Sequence, residues 1–136
     1  MKRYGLQVLV ASFALLALAV PAVAHHSFAA VFDADQPVTV KGVITKIRLE
    51  NPHSWFFLDV KDASGKVENW AFEAGTPSGM IRNGFNSKII KAGTEVTIKG
   101  IRARDKSQTM GLLRELITAD GKVYGTFGSQ VSGETK

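Results

Sequence analysis

Three histidines are the residues whose type and spacing point to chemistry in this chain. His25 and His26 stand side by side, and His53 closes the tripeptide Asn51-Pro52-His53. Cysteine is absent from the 136 residues, which excludes disulfides, thiolate metal sites and cysteine nucleophiles. Nitrogen donors remain. His25 follows Ala22-Val23-Ala24, small residues of the kind that signal peptidase requires. Cleavage after Ala24 gives His25 a free α-amino group, whose ordinary pKa of about 8 leaves a useful neutral fraction at neutral pH. The amine and the imidazole Nδ1 of one residue can chelate a single metal ion. A nitrogen from His53, or from His26 if the chain curls, completes a T-shaped set. Nitrogen-rich, roughly planar sites suit Cu(II), which tops the divalent affinity order. The expected metal ligands are therefore His25, His26 and His53, and the expected cofactor is copper.

That chemistry depends on the first 24 residues being removed. Lys2 and Arg3 give a short positive start, and residues 6–20 are apolar except for Gln7 and Ser12. Pro21 then ends any helix, because it lacks an amide donor and its ring clashes with the preceding turn. The run is short for a membrane span, which needs about 20 apolar residues. These features predict a cleaved signal at residues 1–24, a periplasmic or secreted product, and no stable membrane anchor after cleavage. The formal charge is +5, but Lys2 and Arg3 belong to the signal. The remaining excess is mild, so nucleic acid is not an expected partner.

The elements that must position the histidines follow from pattern and punctuation. Residues 25–36 read as an arm anchored by Phe28, Val31 and Phe32. Residues 38–49 alternate and are rich in Val, Ile and Thr, which predicts a long strand. Gly42 within it suggests a bulge or sharp coil. Asn51-Pro52 interrupts the pattern, and residues 54–61 and 66–74 form a hairpin around Asp62-Ala63-Ser64-Gly65. Thr76-Pro77 is a cap followed by proline at the first helical position, so a short helix runs to about Asn83 and stops at Gly84. Residues 94–104, 109–118 and 122–127 supply the last strands, and residues 128–136 are a polar tail. Three strands, a helix and two more strands are the order of the OB-fold. The expected fold is all-β with one short helix, an OB-like five-stranded Greek-key barrel over residues 37–127. A small open sandwich is the competing architecture.

Other residues suggest a binding face. Trp55 and Phe57 alternate away from Phe56, Leu58 and Val60, and Trp70 and Phe72 lie on the next strand. Exposed rings across the second and third strands could stack on a glycan or meet a partner protein, with Asn51, Trp55, Trp70, Glu73 and Arg82 as candidate contacts. The competing expectation is that some of these rings pack beneath the arm, against Phe28 or Phe32. Asp59 and Glu73 could approach each other across the strands, although charges on strands are usually solvated. Lys99, Arg102, Arg104 and Lys106 read as a solvated strand edge.

Several of these stretches also occur together elsewhere. Ala24-His25-His26-Ser27-Phe28, Asn51-Pro52-His53, Asn69-Trp70-Ala71-Phe72-Glu73, Thr76-Pro77, Arg82-Asn83-Gly84 and Lys91-Ala92-Gly93-Thr94-Glu95-Val96 resemble, in this order, a family of small exported bacterial proteins of unknown function. The resemblance implies a β-rich exported domain and supplies no reaction. The proposed nitrogen set is itself similar to the histidine brace of copper monooxygenases and of some periplasmic copper carriers. The expected function is thus an exported OB-like domain that binds a ligand, with copper capture as its sharpest form. The alternatives are a small copper-dependent oxidoreductase on the same residues, or a metal-free envelope adaptor that uses the aromatic face. No catalytic residue is nominated.

Overall fold

The computed structural model describes residues 28–126. The expected signal and its cleavage point, His25, His26 and the polar tail lie outside the described residues. What is described is mostly antiparallel β-sheet with two short helices. In chain order these are α1 (Phe28–Val31), β1 (Phe32–Arg48), β2 (Trp55–Lys61), β3 (Val67–Glu73), α2 (Pro77–Arg82), β4 (Glu95–Ala103), β5 (Met110–Thr118) and β6 (Val123–Thr126).

β1 is the axis of the fold. Over residues 42–48 it pairs with β2, and over residues 37–43 it pairs with β4. β4 continues to β5, and β5 pairs in parallel with β3 through Ala71↔Met110, Phe72↔Gly111 and Glu73↔Leu112. The pairings β1–β2–β3–β5–β4–β1 therefore form a ring, with β6 attached to β5. A closed ring leaves few unpaired strand edges.

Alternation decides what fills it. Ile44, Phe56, Leu58, Trp70, Phe72, Val96, Ile98, Leu113 and Leu116 are all buried on its inner side. α2 contributes Met80 to the same core. The helix is short because both of its limits are written locally. The Thr76 hydroxyl accepts from the Gly79 amide at 3.1 Å, Pro77 sits at the first position, and Gly84 leaves the helix at φ +93°.

Two details differ from the pattern read in the sequence. β1 starts at Phe32, inside the segment assigned to the arm, because Phe32 is buried at 2% exposure and pairs with Ala103. Residues 33–36 then bulge before pairing resumes at Pro37↔Ile101. Gly42 is not a bulge. It is in register with Val60 on one side and Val96 on the other, and a Cβ there would stand 2.5 Å from the Asp59 carbonyl oxygen. The irregularity falls at Thr45, the extra residue between Ile44↔Leu58 and Lys46↔Phe57. Its hydroxyl donates to the Phe57 carbonyl at 3.2 Å.

Candidate functional site

The site is assembled where the loop after β1 meets the end of β3. The turn at Asp62 fixes the hairpin register. Asp62 Oδ1 accepts from the Ser64 amide at 2.8 Å and the Lys66 amide at 3.0 Å, and Gly65 takes φ +85°. From that turn the ladder runs without a slip to Trp55↔Glu73. It then continues past both strands, since Ala74 donates to the Ser54 carbonyl at 2.8 Å and Ser54 donates to the Gly75 carbonyl at 3.0 Å. Ser54 is fully buried there. The loop before it contains a cis Asn51-Pro52 bond.

This register places His53 diagonally across from Glu73 on the same face. His53 Nδ1 lies 2.6 Å from Glu73 Oε1. Nδ1 is buried, and the contact is close without being an aligned hydrogen bond; it is an ion pair when the imidazole is protonated. The Glu73 side chain is only 15% exposed against 33% for His53. Burial raises the Glu73 pKa above 4.5, and the positive charge of His53 opposes that rise. A carboxylate facing Nδ1 favours, in the neutral ring, the tautomer protonated at that nitrogen, which leaves the lone pair on Nε2. A carboxylate behind one nitrogen is the usual support of a metal-binding histidine.

The arm arrives at the same place. The Phe28 and His53 ring centroids are 5.5 Å apart and tilted by 57°, and Phe28 stacks on Phe32 at 6.4 Å. Arg104, just after β4, fastens α1: its Nε donates to the Ala29 carbonyl at 2.6 Å, and its amide donates to the Val31 carbonyl at 2.9 Å. Arg104 therefore belongs to the attachment of the arm and not to a solvated edge. Its neighbours are engaged too. Arg102 lies 5.4 Å from the Trp70 ring centroid and donates to the Lys106 carbonyl, while Lys99 reaches Glu115 at 3.4 Å.

The residues nominated from sequence separate into two groups. His53, Glu73 and Trp55 come together, and Asn51 lies exposed in the same loop. Trp70 does not join them. It is 6% exposed, turned inward beside Phe72 at 5.7 Å, and pairs with Leu58. Trp55 and Trp70 are thus on opposite sides of the sheet and form no common face. Trp55 and Phe57 do share the outer face, with centroids 6.5 Å apart and planes 23° from parallel. Arg82 is exposed in the last turn of α2. Asp59 faces Asn69, which donates to it at 2.5 Å, and not Glu73. The contact between Glu73 and His53 is the feature that sequence reasoning missed. The hairpin turn held the signal, because extending its pairing outward brings position 73 opposite 55.

Among the described residues no three His, Cys, Asp or Glu side chains converge to hold a metal ion. His25 and His26 lie beyond them. Within its own residues the site can orient one imidazole and dock Phe28 of α1 against it.

The sequence matches the family of unknown function DUF6152 over residues 13–113, and the chain belongs to that family. No curated protein and no solved structure matches it.

Proposed function

We propose that this is an exported domain, an OB-like barrel that captures one copper ion at its processed N-terminus. His25, His26 and His53 supply the nitrogens. The fold part of the reading rests on the ring of pairings, with a parallel β3–β5 closure and a helix between β3 and β4. The copper part rests on one observation, the seating of Phe28 on His53. His25 is three residues before Phe28, and an extended chain covers at most about 11 Å over that distance. The new amine and two imidazoles are therefore within reach of the His53 Nε2, which Glu73 holds from behind. Carriage or sensing fits a set of donors without a nominated catalytic group.

Native mass spectrometry of the protein recovered from its own exported fraction tests this in one spectrum. The expected species starts at His25 and carries one copper, and both H25A and H53A lose the metal. A mass that starts elsewhere, or a chain that takes up no added copper, refutes the reading.

A second reading is favoured by the near-parallel Trp55 and Phe57 rings on the outer face. There the domain is a metal-free adaptor that stacks a glycan or an aromatic partner. Oligosaccharide titration would quench tryptophan fluorescence in the wild type and not in W55A.

A further inference from the structure

A groove lies along the far part of β1, between Lys46 and Leu49 on one wall and the loop after α2 on the other. Its volume is about 430 Å³. The loop wall is built rather than loose. Phe85 and Ile90 are buried beneath it, Ile90 donates to the Asn86 carbonyl at 2.8 Å, and Gly93 donates to the Ile44 carbonyl at 2.7 Å. The Thr94 hydroxyl ties the top by donating to the Ile89 carbonyl at 3.2 Å and accepting from the Lys91 amide at 3.1 Å. Lys46 and Lys91 are the charged residues of the lining, which contains no carboxylate. Lys88 stands in the loop beside them. The other lysines of β1 and β4 are matched, Lys41 to Glu95 and Lys99 to Glu115. Among the described residues Lys46, Lys88 and Lys91 have no carboxylate partner. Exposed aliphatic groups stand among them, Leu49 at 43% and Ile89 at 45% exposure.

We infer that this groove docks the domain on an anionic phospholipid surface. Unmatched ammonium groups around protruding aliphatic side chains complement a layer of phosphate headgroups over acyl chains, electrostatic attraction and apolar insertion acting together. A second copy of the chain is disfavoured, because two such faces repel. A folded acidic partner is disfavoured by size. Nine residues line the groove, against about 20–30 a side in a stable protein interface.

The test is flotation of the full chain with vesicles of phosphatidylcholine, with or without phosphatidylglycerol. The apolar residues 6–20 are common to every variant, so partition constants are compared at a lipid concentration where the wild type is half bound, and their ratio reports the groove alone. The wild type is expected to prefer the phosphatidylglycerol vesicles and to be released by salt. K46E/K91E is expected to bind them at least about tenfold more weakly, since each lysine near an anionic surface contributes severalfold. L49S/I89S, which changes exposed positions alone, is expected to weaken binding at unchanged charge. Equal flotation of both variants and the wild type would overturn the proposal. So would indifference to phosphatidylglycerol, or tighter binding of a polyglutamate peptide than of the vesicles.

Discussion

Replacing Gly100 by alanine tests the ring of strands at its tightest point. Gly100 lies in β4 beside an irregularity, paired with Leu113 of β5 and Val38 of β1. A Cβ at this position would lie 2.1 Å from the Leu112 carbonyl oxygen and 3.1 Å from its carbon. That is well over about 1 Å inside ordinary contact. The obstructing atoms are backbone, held by strands on both sides, so no rotamer change relieves the overlap. The two strands must separate locally. Losing about two ladder hydrogen bonds costs about 0.5–1.5 kcal/mol each. Overpacking of the neighbouring core adds about 1–3 kcal/mol. The expected loss is about 3–4 kcal/mol, a large part of the stability of a small domain. For about 100 residues this lowers Tm by about 12 °C or more. Gly75 is the control, since a Cβ there meets nothing within 4 Å and its φ is outside the left-handed region. G75A is expected to remain within about 1 kcal/mol of the wild type. Urea unfolding of the two variants decides the matter. A G100A protein as stable as G75A would show that β4 and β5 do not approach as described, and the closure through β3 would fall with it.

Three other outcomes follow from the site and its supports. Phe28→Ala removes a half-buried ring from Phe32 and His53, so it is expected to cost about 1–2 kcal/mol; hydrogen exchange at the Arg104 amide should accelerate while the Phe72 amide stays protected. Glu73→Gln keeps the shape behind His53 but not the charge, and on the copper reading it lowers affinity by about 10–100-fold with Tm little changed; isothermal titration with Cu(II) checks it, and unchanged affinity removes Glu73 from the site. Hydrogen bonds from Ser64, Ser107 and Thr118 hold the carboxyls of Asp62, Asp105 and Asp120 below their ordinary 3.8. Their folded-state pKa values are depressed, so the stability they lend to their turns is complete above pH 3.8 and is lost as pH falls through the folded values. NMR titration of the Ser64, Ser107 and Lys122 amides should place that loss below 3.8, and midpoints at or above 3.8 would contradict it.

The parts of this molecule legible in the sequence are those set by neighbours along the chain. The Asp62–Gly65 turn, the Thr76 cap with Pro77 behind it, and Gly84 after α2 each depend on contacts within a few residues. Alternation also assigned Phe56 and Leu58 to the inside and Trp55 and Phe57 to the outside. The two tryptophans could not be assigned to one face or two until register was known, since each alternates correctly within its own strand. Position 42 misled for a related reason. Glycine there answers to the close approach of Asp59 on a neighbouring strand, whereas the bulge at Thr45 carries no glycine at all. Arg104 reads as a solvated cation, and its role appears only when the chain has brought Ala29 back to it. The meeting of His53 and Glu73 is long-range in the same sense, yet it follows from a local turn counted outward.

The length of β1 has a consequence for how the molecule is made. Phe32 is matched by Ala103, and the partners of Pro37 to Lys41 all lie in β4. A chain that appears N-terminus first therefore presents its longest strand well before the second flank exists, with backbone donors and acceptors free to template another chain. During that interval protection must come from β1 itself. Thr39, Lys41, Thr45, Lys46 and Arg48 are all exposed along it. In the finished ring they look like ordinary surface residues. In the nascent chain Lys41 stands as a gatekeeper on the stretch that β4 completes, with Lys46 and Arg48 following where β2 pairs.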